Sequence, residues 1–283
     1  MTRLLVSEIT TWRKRPEIVA ASLGMLVLVA ALWISGYLSS QAAAASLPGP
    51  DAGRIAAELA FLAPYRYPAS IVWIVASGIW LFFGIFYVGA ATTGGDFGWG
   101  TIRTALLAGR GRVTFVTARL AFVTLLGTAL LVVELLLGVV LPILLSTGDG
   151  RPVRATGVIL GVAAGVLGVS LYGSAGVCAA LLLRDRAAPL LAGAAAVVGQ
   201  SILSPLPFWN GSGVLQWVPR LFPSNALGAL FLRSEQSVGI LPRSGAPSYL
   251  DVAWPIAGAI TIIWIVALVT VATVAFARTD ITV

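Results

Sequence analysis

There is no histidine in the sequence, a single cysteine, and one lysine among eighteen basic residues. The missing histidine excludes histidine metal sites, Ser–His–Asp hydrolysis and histidine proton relays. One cysteine, Cys178, excludes an intrachain disulfide; in its apolar run it reads as a small buried hydrophobe. Acidic residues number eleven, and no two lie in a pattern that would hold magnesium and a pyrophosphate. The only approach to a phosphate-binding loop, GRGR at 109–112, lacks the lysine and the loop length of GxxxxGK[ST], so no nucleotide site of that kind is encoded. Neither a cofactor site nor a constellation of nucleophile, base or metal ligands is readable, so no catalytic role is expected of this chain.

What the chain has in abundance is apolar sequence. Fifty-eight per cent of the 283 residues are hydrophobic, only 10% are charged, and mean hydropathy is +0.96. A soluble domain of this size has too few polar residues here to cover its outside. Several runs reach the roughly 20 apolar residues that a helix needs to cross hydrocarbon. The expectation is an all-α integral membrane protein, a single transmembrane domain over 1–283. The net charge of +7 sits mostly at span ends. Membrane topology explains it better than nucleic acid does, and no nucleic-acid partner is expected.

Six spans are expected, near residues 18–38, 70–91, 115–145, 155–183, 187–206 and 253–277. Residues 1–16 read as an interfacial amphipathic helix with Trp12 at headgroup level rather than a cleaved signal peptide. Trp33 and Tyr37 lie near the far end of the first span, where amphipathic aromatics prefer the interface. Pro142 should bend the third span near its end. Gly157, Gly161 and Gly165 recur every four residues and should let a neighbouring helix come close. Eleven basic residues fall on the side of the N-terminus and seven on the other, which places both termini in the cytoplasm and the chain in a plasma (inner) membrane.

Two segments between spans carry the functional expectation. TTGGDFGWGTIRTALLAGRGRVTFVTARL, residues 92–120, lies between spans two and three. Asp96 is placed to cap a short helix over 96–109 and Gly109 to end it. Trp99, Ile102 and Leu106 share one face, and Arg103, Arg110, Arg112 and Arg119 make the stretch basic. The pattern fits a surface helix that docks a soluble partner, and it fits equally a basic loop that only fixes topology. The second segment covers 207–252. Its VLQWVPRLFPSNALGALFL section is too apolar for a free loop and too broken for a span. With Trp217, Pro219, Phe222 and Pro223 it reads as short helices that dip back into the membrane and form an outside gate.

This layout resembles the permease subunits of type-2 ABC exporters. The likeness is carried by Asp96, Gly100, Thr101, Arg103, Leu106, Leu107, Arg112 and Arg119, by the opening LLVSEITTWRKRP, by the close AFARTDI and by LFPSNALGALF. It covers the whole chain through loose motifs in the right order. Ala108 and Gly109 stand where the family often has proline, and Asp96 where it more often has glutamate, so the pattern does not fix the short helix's boundary. The resemblance implies six spans, a cytoplasmic coupling helix at 96–109 and re-entrant outside helices. It also implies a separate ABC ATP-binding subunit that holds ATP and magnesium, and a second permease chain, identical or similar. Asp96, Trp99, Thr101, Ile102, Arg103, Leu106, Arg110 and Arg112 would then dock the ATPase.

Two other classes compete. A secondary transporter needs ionisable groups at mid-membrane and usually internal repeats. A non-catalytic membrane scaffold needs neither. Glu134 is the one charged residue deep in a span, where a charge costs at least about 2.5 kcal/mol unless paired or hydrated. It reads either as a group on a transport path, or as a neutral carboxyl bonded to Ser170 or Ser174 or held at a permease dimer interface. The sequence leaves the cargo open.

Overall fold

In lipid every backbone polar group must be satisfied within its own segment, so long apolar runs become helices. The computed structural model of the protein describes residues 10, 16–46, 62–67, 69–77, 79–98, 102, 111–145, 155–185, 187–206, 213, 215–238 and 250–278, and among them there is no strand. The helices are α1 (Pro16–Ala45), α2 (Ala69–Ser77), α3 (Ile79–Gly98), α4 (Arg112–Leu144), α5 (Ala155–Leu183), α6 (Ala188–Leu203), α7 (Trp217–Arg220), α8 (Pro223–Ser237) and α9 (Trp254–Arg278). A 3-10 turn, Ala63–Tyr65, precedes α2.

Four of these, α1, α4, α5 and α9, are long and apolar enough to cross a membrane. A fifth span follows if α2 and α3, bent by 44° at their junction, are taken together. The expected second span is therefore a broken pair that continues to Gly98. The segment read as a fifth span holds α6, with 16 residues. At 1.5 Å per residue it is about 24 Å long, short of a core roughly 30 Å thick. Among the described residues the chain is all-helical and of the membrane class, with four or five helices of spanning length and composition.

Helix α5 is the hub. Its glycines let neighbours in on several sides, as small residues do in membranes. A Cβ on Gly165 would lie 2.9 Å from Val75 and 3.0 Å from Leu131. One on Gly168 would meet Phe82 at 2.6 Å and Leu227 at 3.1 Å. One on Gly89 of α3 would lie 2.9 Å from the Gly173 carbonyl. The Gly157, Gly161 and Gly165 face is a packing face as expected, and Gly173 and Gly176 extend it toward α3. The contacts also fix direction. Helix α3 runs parallel to α5, α4 antiparallel to both, and α9 brings Phe276 to the end where α3 finishes and α4 begins.

One expectation fails here, and another meets a partner that residue order did not show. Trp33 and Tyr37 of α1 face the protein. They are buried, stacked on each other at 5.8 Å, with Tyr65 edge-on to Trp33 at 5.3 Å. Asp96 does not cap a new helix; it lies inside the last turn of α3, buried. A tertiary partner has claimed each side chain. Segments 1–9 and 11–15, most of the expected interfacial helix, lie outside the described residues, as do 99–101, 103–110, 207–212, 239–249 and 279–283.

Candidate functional site

The end of the bundle where α3, α4 and α9 meet is tied by charge and by aromatic rings. Arg119 Nη2 donates to Asp96 Oδ2, and both side chains are about 95% withdrawn from solvent. Arg119 also lies over the Phe115 ring, 5.7 Å from its centroid. Phe115 and Phe97 both contact Phe276 of α9, at 5.6 Å and 6.5 Å. Arg112 Nη1 donates to the Ala277 carbonyl at 2.8 Å and reaches that of Phe276 at 3.5 Å. These carbonyls belong to the last turn of α9, where a cation suits both the unpaired acceptors and the helix dipole. Ile102 is buried in the main core.

So the residues expected to dock a partner divide. Asp96 and Ile102 are buried and face inward, whereas Arg112 is partly exposed and donates to the end of α9. Trp99, Thr101, Arg103, Leu106 and Arg110 lie outside the described residues. What the sequence reading missed is that Asp96 and Arg119, 23 positions apart, form one pair. The only signal was that an acid and a base flank the same loop in apolar surroundings.

On the far side of α5, helix α8 runs back along it. Ser234 Oγ donates to the Gly157 carbonyl at 2.6 Å, two residues into α5, and Leu227 packs at Gly168. Gly157 and Gly168 are 11 residues apart, so these contacts cover roughly 16 Å of α5. Its start is fastened. Asn225 Nδ2 donates to the Pro219 carbonyl at 2.7 Å and to Ser204 Oγ at 2.8 Å. Ser224 Oγ donates to Gln200 Oε1, and Trp264 Nε1 to the Leu221 carbonyl at 2.8 Å. Of the residues expected to form a gate, Pro219 is buried, while Trp217 is exposed and lies under Arg220 at 5.0 Å. Phe222 and Pro223 line a cavity of about 720 Å³ between α3, α5, α6, α8 and α9.

Glu134 is 1% exposed, and neither carboxyl oxygen has a hydrogen-bond partner among the described residues. The expected bond to a neighbouring hydroxyl is not made. Ser170 donates instead to the Val166 carbonyl at 2.8 Å. Burial within the chain also removes Glu134 from any interface with a second copy. One turn on, the Gly138 carbonyl accepts from Ser70 Oγ at 2.7 Å, which ties α2 to α4. Among the described residues no cluster of His, Cys, Asp or Glu could hold a metal ion.

No family model matches the chain, and neither a curated protein nor a solved structure is significantly similar to it.

Proposed function

We propose that this chain is the membrane-spanning subunit of an ATP-driven exporter of the ABC type. In this reading it forms the path for cargo, and a separate subunit binds ATP and magnesium. Two such chains pair, each docking one ATPase. The carrying observation is the clamp at the ends of the basic loop. The chain leaves α3 just after Asp96 and enters α4 at Arg112. Asp96 is paired with Arg119 and Arg112 holds the end of α9. A push on residues 99–110 therefore reaches three helices at once, as rigid-body coupling requires. The deep course of α8 along α5 supports the companion reading of 207–252 as a re-entrant gate.

The test is co-purification with an ABC ATP-binding subunit, sought first in the adjacent reading frame, and stimulation of its hydrolysis in nanodiscs. Ile102 is unsuitable for substitution because it is core. Leu106→Asp and Arg103→Glu should abolish both readouts while the protein still inserts. Full stimulation by both variants would remove the docking role.

Glu134 favours a second reading, a proton- or ion-coupled secondary transporter, because an unpartnered acid deep in a span is what such a mechanism uses. Vesicle transport driven by ATP in the absence of an ion gradient supports the first reading; transport driven by a gradient without ATP supports the second.

A further inference from the structure

The cavity behind the α7–α8 turn carries polar groups that the fold itself does not use. Its walls are Phe83, Leu203, Trp264 and similar side chains, and no charged residue lines it. Among the described residues Tyr172 has ring contacts but no hydrogen bond for its hydroxyl. Gln200 uses its side-chain oxygen to accept from Ser224, which leaves the amide N–H pair without a partner among those residues. Both side chains line the cavity. Tyr172 precedes the end of α5 by 11 residues and Gln200 follows the start of α6 by 12. At 1.5 Å per residue they sit at matching depth, roughly 16–18 Å from the turn that joins the two helices. Along α6 the lining runs from Leu190 to Leu203, a length of roughly 20 Å.

We infer that this cavity binds a single-chain neutral amphiphile: a long acyl chain ending in an uncharged carbonyl-bearing group, an ester or amide. The volume lies within the roughly 300–1,000 Å³ of small-molecule sites. The apolar wall takes the chain. The two donors, Tyr172 O–H and Gln200 N–H, line the same cavity at matching depth along α5 and α6, and a carbonyl oxygen is the acceptor that suits them. A carboxylate or phosphate at this depth meets no cation among the lining residues and stays costly. The inference rests on the membrane location of these helices and on the cavity, and needs no ATPase.

The test uses full-length protein in phosphatidylcholine nanodiscs and a monoacylglycerol carrying a photoreactive diazirine on its chain. Peptide mapping should place the crosslinks on α5, α6 and α9, and unlabelled monoolein should compete. A Cβ on Gly199 meets nothing within 4 Å although the residue lines the cavity, so Gly199→Phe fills the space without a clash at its root. It should cut saturable labelling at least about tenfold, which corresponds to roughly 1.4 kcal/mol. Gly24→Phe, at an exposed glycine with equally open space, is the control and should leave labelling unchanged. Tyr172→Phe should weaken competition by monoolein roughly three- to tenfold, the worth of one hydrogen bond. Labelling spread over all lipid-facing helices, or equal in the two glycine variants, would overturn the site. Oleate at pH 9 competing as well as monoolein, or no effect of Tyr172→Phe, would overturn the neutral carbonyl as its ligand.

Discussion

Asp96 and Arg119 form a charge pair between the last turn of α3 and the second turn of α4, and each is almost wholly hidden from solvent. A pair of this kind is strongly destabilising to break and nearly neutral to replace as a unit, because the damage comes from the charge left behind. Asp96→Leu should therefore cost about 3–5 kcal/mol, and the double change Asp96→Leu with Arg119→Met should recover most of it. Unfolding midpoints in detergent, arranged as a double-mutant cycle, measure this. Additive losses would mean that the two side chains act separately.

Glu134 presents the opposite case, two carboxyl oxygens without a partner among the described residues. Replacing an unsatisfied buried polar group with an apolar one of similar size removes a penalty. Glu134→Leu should raise the unfolding midpoint by about 2–4 °C for a chain of this size. A fall instead would reveal a partner that holds the carboxyl. Should transport vanish in both Glu134→Leu and Glu134→Gln while assembly persists, Glu134 lies on the path.

Asn225 holds the α7–α8 turn through two hydrogen bonds from one amide. Asn225→Leu removes both bonds, while the Pro219 carbonyl keeps the Phe222 amide at 3.2 Å and the Ser204 hydroxyl keeps the Gln200 carbonyl at 2.6 Å, so the cost is that of the lost bonds alone, about 1–2 kcal/mol. The turn should loosen before the bundle does. A reporter cysteine at Leu221, in a Cys178→Ala background, should then react faster with an aqueous thiol reagent. Equal rates with and without Asn225 would show that the turn is held by other means.

Gly176 approaches the Phe86 backbone so closely that a Cβ there would overlap the carbonyl. A backbone atom cannot step aside as a side chain can, so Gly176→Ala should cost about 1–3 kcal/mol. Gly258, whose Cβ would meet nothing within 4 Å, should accept alanine with no loss, or gain from better helix propensity. Paired thermal melts of the two variants check the contrast.

Asp185 lies in the turn between α5 and α6, where its carboxylate accepts from the Ala188 and Ala187 amides at 2.8 and 2.6 Å. These bonds hold its pKa below the ordinary carboxylate value. A pKa lowered by folding gives stabilisation that is present above the unfolded carboxylate range and lost as pH falls through the folded value. Protection of the Ala187 and Ala188 amides from hydrogen exchange should therefore drop below about pH 4 toward that of Asp185→Ala. A protection difference unchanged down to pH 2 would show that the carboxylate plays no part.

Much of the scaffold was readable from residue order alone. Hydrocarbon forbids unpaired backbone, so an apolar run of span length must be helical wherever it packs. The span read at 155–183 coincides with α5, and those read at 115–145 and 253–277 fall within a few residues of α4 and α9. The four-residue glycine spacing marked the close face of α5, because side-chain volume is a local property. Which way each helix turns about its own axis is not local. That Trp33 and Tyr37 face Tyr65 is not written in their spacing, and Asp96 looks like a cap until Arg119 arrives 23 positions later. The cavity at Tyr172 and Gln200 is walled by residues of α3, α5, α6 and α9 and by Phe222 and Pro223 at the start of α8, which lie far apart in the chain. Composition decides that a segment is buried in the membrane; only the packed arrangement decides which of its polar groups are satisfied and which are left facing a space.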